Sequence, residues 1–259
     1  MTGSSRGSED QLLTSEFSNL SDDHSHGELH AACLVSRVLA ADVDTLQIQQ
    51  QVAQLASACT TPEAPWRYLH TLGFQGGGAS VLDGSRLDTV LARRSGLPIS
   101  LGVLLIHLAR AQGQESWGIN FPGHFLVKVA ETLVDPYEMT VVSEADCLAR
   151  LAPDSRTDAF ARAPARLIAL RMLNNLKYQF AANATWERSL DMVDYQLALA
   201  PGDANLLFER ADFWLRLGAV DAARTALEVC LNAAGDRPEL LALAQEQLKA
   251  IADQRNTIH

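Results

Sequence analysis

The sequence predicts an α+β protein, mostly helical, with one small antiparallel sheet near its middle and paired helices after about Pro164. Three observations carry this. Helical periodicity dominates from Glu28 onward, and over Leu101–Ala109 it becomes apolar nearly all round. Two short extended runs, His124-Phe-Leu-Val-Lys-Val129 and Thr132-Leu-Val-Asp135, flank Ala130-Glu131 as the arms of a hairpin would. Finally, Trp186-Glu-Arg-Ser-Leu-Asp with Leu197 and Asp203 aligns, at an offset of 33, with Ala219-Val-Asp-Ala-Ala-Arg with Cys230 and Asp236. Helix, turn, helix at a period near 34 is the tetratricopeptide pattern. The division expected is a flexible tail over 1–26, a core with N-terminal helices over 27–160, and a tetratricopeptide-like helical domain over 161–259.

In chain order, residues 1–26 are rich in Gly, Ser, Asp and His and poor in apolar side chains, hence the tail. His24, His26 and His30 lack a carboxylate or thiol frame and read as solvated rather than as metal ligands. Leu29, Ala32, Cys33, Ser36 and Leu39 share one helical face, and Leu46, Val52, Leu55 and Cys59 another. Thr61-Pro62 starts a short segment. Gly76-Gly77-Gly78 lacks the GxxxxGK[ST] pattern of a phosphate cradle and reads as a flexible connection. Ser85-Arg-Leu-Asp88 resembles a capping box opening a helix with Leu87, Val90 and Leu91, which closes at Arg93-Arg94 and Gly96. Pro98 then opens the buried helix that Gly113 stops. Trp117–Phe121 is extended and leads into Pro122-Gly123.

Composition narrows the function. At 47% hydrophobic and 20% charged, the 259 residues can bury a core. The net charge of −10 and pI of about 5.1 argue against direct nucleic-acid binding, which wants a basic face. No apolar run approaches the roughly 18–20 residues of a membrane span, and the N-terminus shows no apolar leader, so cytoplasm is expected. Cys33, Cys59, Cys147 and Cys230 are scattered, with no zinc spacing, and read as reduced thiols. No metal site and no cofactor motif is expected.

One constellation could carry chemistry. With Ala130-Glu131 as the turn, Asp135 opposes Leu126, and His124 lies two residues from Leu126 on the same side. His124 and Asp135 are then diagonal neighbours on one face. Ser100 falls in the first turn of the buried helix, where unpaired N–H groups and the positive dipole end gather. Nucleophile at a helix start, base on one strand and orienting carboxylate on the next is triad logic. Plainer readings stand beside it: Ser100 as a helix cap, His124 as a structural histidine, Asp135-Pro136 as a turn start. His107 lies two turns along the helix from Ser100 and reads as a core histidine.

Leu87-Asp-Thr-Val-Leu91 with Arg94, Gly96 and Pro98-Ile-Ser-Leu101, then Pro122-Gly-His-Phe-Leu-Val127, Asp135-Pro136 and Arg171-Met-Leu-Asn-Asn-Leu-Lys177, resemble a transglutaminase-like bacterial family described as regulators of sirC expression. The resemblance spans most of the chain from about residue 28. It implies a core similar to the papain/transglutaminase fold, followed by tetratricopeptide helices. Active members of that fold use Cys, His and Asp; by resemblance Ser100 falls near the cysteine position, His124 at the base and Asp135 at the orienter. No cysteine lies near Ser100, and a serine hydroxyl is a far weaker nucleophile than a thiol unless a base takes its proton. The expectation is therefore a non-catalytic protein-interaction scaffold or regulator with a protein or peptide partner. The alternative is a serine-dependent amide or ester hydrolase, or acyl transferase, using Ser100, His124 and Asp135.

Overall fold

In the computed structural model, which describes residues 3–22 and 27–257, helices and strands follow in this order. First come α1 (Gly3–Ser18), α2 (Gly27–Leu39), α3 (Thr45–Ser57), α4 (Pro65–Thr71), β1 (Gln75–Gly76), α5 (Val81–Ser85), α6 (Leu87–Arg93), β2 (Ser95–Gly96) and α7 (Pro98–Ala111). The sheet region holds β3 (Ser116–Ile119), β4 (Leu126–Val129), β5 (Thr132–Asp135), β6 (Thr140–Val141), α8 (Glu144–Ala149) and β7 (Arg162–Ala163). The rest is α9 (Ala165–Ala182), α10 (Trp186–Leu199), α11 (Ala204–Arg216), α12 (Val220–Ala233) and α13 (Pro238–Thr257). Two compact units result: residues 19–172, and residues 3–18 together with 173–257. The mostly helical α+β class with one small antiparallel sheet is as the sequence predicts.

In the unit of residues 19–172, a five-stranded antiparallel sheet runs β6-β5-β4-β3-β7, and α7 packs on β3 and β4. Pro98 sits in the first turn of α7, and Leu101, Leu104, Leu105 and Leu108 are all fully buried. The all-round apolar sequence is explained by neighbours on several sides: the sheet, and α2, α3 and α4. The hairpin register matches the expectation, with Val127 opposite Val134, Lys128 opposite Leu133 and Val129 opposite Thr132. Ala130 takes a left-handed φ of 48° to close it, which is why so unfavoured a turn pair serves.

Two buried polar linkages tie this unit together. Glu28 accepts a bidentate pair from Arg110 at 2.7 and 2.8 Å, and Arg110 also donates to the Ser116 carbonyl, joining α2, α7 and β3. Ser36 on α2 accepts from the Leu87 backbone N–H at 2.9 Å and so caps α6 from a distance. Ser85 does not: it closes α5 and donates to the Val81 carbonyl. The capping box expected there is replaced by this tertiary cap. Gly76-Gly77-Gly78 also differs from the flexible connection expected. Gly76 lies in β1, parallel to β2, under the Tyr137 ring; a Cβ there would overlap the ring. Ser95 Oγ donates to the Gly77 carbonyl.

The second unit begins with another difference. Residues 3–18, read as tail, form α1, with Leu13 and Phe17 buried; Phe17 packs on Tyr195, whose hydroxyl bonds Asp10 at 3.0 Å. His24 and His26 lie outside the described residues, and His30 is exposed on α2. Here α10 and α12 start at residues 186 and 220, and α11 and α13 at 204 and 238, an offset of 34 in both cases. Asp203 caps α11 through the Asn205 and Leu206 N–H groups. Leu207, Ala211, Ala223, Leu227, Cys230, Ala244 and Ile251 make its core. Among the described residues, no helix is long and apolar enough to cross a membrane.

Candidate functional site

His124 stands just ahead of β4, at the end of a turn that Gly123 makes with a φ of 73°; its N–H donates to the Phe121 carbonyl at 2.9 Å. Asp135 is the last residue of β5. The register fixed by Ala130-Glu131 therefore carries both to the same end of the hairpin. His124 Nε2 and Asp135 Oδ2 are 2.7 Å apart, and Asp135 Oδ1 accepts the Tyr137 backbone N–H at 2.8 Å. Both carboxylate oxygens are thus engaged. An Nε2 held by the carboxylate is the donor tautomer, which leaves Nδ1 as the ring's acceptor. The imidazole is about one-third exposed, the carboxylate largely covered.

The supports of this pair extend into the core. The Phe125 ring, next to His124, fills the space above Gly102 on α7 and Gly118 on β3; a Cβ on either glycine would lie 2.5 Å from it. Arg171 on α9 stacks its guanidinium 5.7 Å from the same ring and donates to Asn120 Oδ1 and the Phe121 carbonyl. Burial holds the Arg171 guanidinium below its ordinary range. The turn that presents His124 is therefore braced on both flanks.

Ser100 is placed differently. It is the third residue of α7, whose cap is the Leu97 backbone with no side-chain bond, so Ser100 is not a helix cap. The residue is 0% exposed and its Oγ has no hydrogen-bond partner. The structure brings His124 and Asp135 together and leaves the Ser100 hydroxyl bonded to neither. The same applies to access: a pocket of about 190 Å³ lies at the histidine, lined by His124, Asp135, Phe121, Leu126, Cys147, Arg150 and Leu151 among others, and Ser100 is not one of its lining residues.

Cys147 and Arg150 are members of this pocket that sequence reasoning missed. Both belong to the α8 turn that Ser143 caps through the Asp146 N–H. Burial pushes the Cys147 thiol up, Arg150 pulls it down and Asp135 adds to the rise. A raised, covered thiol is a poor nucleophile. Within the pocket, then, the chemistry available to the described residues is that of an oriented imidazole beside a carboxylate: proton acceptance, or hydrogen bonding to a bound group. No group of three or more His, Cys, Asp or Glu side chains among the described residues could hold a metal ion.

A helix start packed on a hairpin that pairs His with Asp is the frame of a transglutaminase-like domain. The family model for the transglutaminase-like superfamily matches residues 38–174, and the chain belongs to that superfamily. Among curated sequences it is similar to a UPF0162 protein of Xylella fastidiosa strain Temecula1, 31% identical over 239 residues, covering 81% of this chain and 85% of that one. A UPF0162 protein of Pseudomonas aeruginosa is 33% identical over 167 residues, covering 61% of this chain and 62% of that protein. No solved structure matches.

Proposed function

We propose that this protein is a non-catalytic transglutaminase-like protein that works by binding, as a protein-interaction scaffold or regulator in the cytoplasm. One observation carries the reading: the His124–Asp135 pair is kept and braced, while Ser100, at the place where a nucleophile would stand, is fully buried with an unbonded hydroxyl. Orientation without a nucleophile serves recognition. The 34-residue offset of α10–α13 supports tetratricopeptide-type helix pairs as a second contact region. The resemblance to regulators of sirC expression supports a regulatory outcome, and the net charge of −10 supports reaching it through a protein rather than through DNA.

The 2.7 Å His124–Asp135 contact favours a second reading, a serine-dependent amide or ester hydrolase or acyl transferase with Ser100 as nucleophile, His124 as base and Asp135 as orienter. One experiment separates the two. The intact protein and its Ser100→Ala variant are treated with a fluorophosphonate probe and, separately, with glutamine- and lysine-containing peptides followed by mass spectrometry. Binding without turnover predicts no adduct and unaltered peptides. An adduct on wild type that disappears in Ser100→Ala would overturn the first reading and establish the second.

A further inference from the structure

Away from the histidine pocket, a groove of about 510 Å³ runs between α4 and β6, lined by Trp66, Arg67, His70 and Thr71 on one side and by Met139, Thr140 and Val141 on the other. Three independent features mark it. First, β6 is an edge strand. Val142 N–H donates to the Leu133 carbonyl, and Thr140 pairs with Asp135. In an antiparallel ladder the direction of the backbone groups alternates, so Val141 turns its N–H and C=O to the open side. Its side chain is 55% exposed. With two residues, β6 offers a short edge with one such open pair of backbone groups.

Second, Trp66 lines the groove, and its indole N–H, which donates to nothing among the described residues, is open to solvent and so available to a ligand. Third, Arg67 and His70 are exposed on the same face of α4, and neither side chain has a hydrogen bond or an ion pair among the described residues. In a chain of net charge −10, these two side chains give the groove a basic wall.

We propose that this groove takes an extended, acidic peptide segment of a partner protein, which adds as a strand to β6 at Val141 and sets a carboxylate against Arg67 and His70. Backbone pairing at the edge supplies the anchor, and alternate side chains face α4 and solvent. The peptide's carbonyl or carboxylate oxygens give the Trp66 indole its acceptor. The inference rests on the binding reading above, but on different residues from the His124 pocket.

The test uses the full chain and a fluorescein-labelled seven-residue peptide alternating valine and glutamate. Two controls go with it: the valine–lysine counterpart, and the glutamate peptide N-methylated at alternate residues, which removes strand hydrogen bonds and leaves the protein untouched. Anisotropy should show saturable binding of the glutamate peptide, about tenfold or more weaker for the lysine peptide, as the loss of a charge-assisted contact implies. N-methylation should abolish binding, and Arg67→Glu should reverse the charge preference. By NMR, the Trp66 indole proton, identified by its loss in Trp66→Phe, and the Val141 amide should shift on binding. Absence of binding, equal binding of the glutamate and lysine peptides, or binding that survives N-methylation would overturn the proposal. None of those outcomes touches the serine-probe and turnover result, so the two readings fail separately.

Discussion

Ser100 holds the most informative atom in the molecule, a buried hydroxyl with no partner. Leaving such a group unsatisfied costs about 1–3 kcal/mol. Ser100→Ala removes the group rather than a contact, so it should be neutral or stabilising, by about 1 kcal/mol in urea denaturation; a loss of more than about 1 kcal/mol would mean that the hydroxyl has an unseen partner. His124 and Asp135 were legible in the sequence because a two-residue turn fixes the register, and register is arithmetic. The direction of the Ser100 side chain was not legible. It sits on a helix that is apolar nearly all round, so periodicity has no single face to report, and packing decides the rotation. Cys147 was hidden for another reason: α8 returns to the pocket through a loop, with no local spacing that links it to His124. Cys33 illustrates how burial writes itself into pH dependence. Burial pushes its thiol from 9.0 up to about 12. A group whose folded pKa exceeds its unfolded one contributes stability that is complete below the unfolded value and is lost as pH rises toward the folded value. Unfolding free energy should therefore fall between pH 9 and about 12, by roughly 1.4 kcal/mol per pH unit for this thiol. Cys33→Ala should lower that slope by the same amount while lowering stability at pH 7; an unchanged alkaline slope would contradict the assignment.

Elements are held in place by glycines and by contacts that no local pattern announces. Gly102 on α7 admits the Phe125 ring against the helix, and Gly118 admits it against β3. Gly102→Ala must push that ring away, since the new methyl would lie 2.5 Å from it. The expected cost is about 1–3 kcal/mol. Shrinking the ring should relieve part of it, so Gly102→Ala combined with Phe125→Leu should be less destabilised than the two single changes summed. Additive losses in that double-mutant cycle would show that the ring is not what the methyl meets. The same cycle tests the bracing of His124, whose turn leans on Phe125. Helix α1 shows how a sequence reading goes astray at this scale. Its composition is that of a solvated tail, and only Leu13 and Phe17, four residues apart, mark a buried face. Two apolar positions among Gly, Ser, Glu and Asp are too few for periodicity to register, and the docking of α1 depends on Tyr195, nearly two hundred residues away. Phe17→Ala should cost about 3 kcal/mol, with faster amide exchange across residues 9–18; unchanged exchange would return this segment to a tail.

Among the described residues, each of the two units has an apolar core of its own. One lies in residues 19–172, where α7 meets the sheet; the other spans Ala204–Ile251 within α11–α13. The sequence foretold a core followed by paired helices, and the fold class follows from it, because repeat offset and hairpin pattern are local signals. What it did not foretell is that residues 3–18 join the C-terminal helices, or that the division falls at Leu173, inside α9, since both depend on contacts between distant stretches. Two cores predict two responses to injury. Leu227 is fully buried in the helical core, and Leu227→Ala should destabilise by about 3 kcal/mol. Hydrogen exchange read by mass spectrometry should place that loss in residues 204–251 and leave the amides of 98–135 close to their wild-type protection, because Leu227 belongs to the core of the first set. Leu104→Ala, in α7, should give the converse pattern. If either substitution lowers protection equally across both sets, the two cores unfold as one cooperative body.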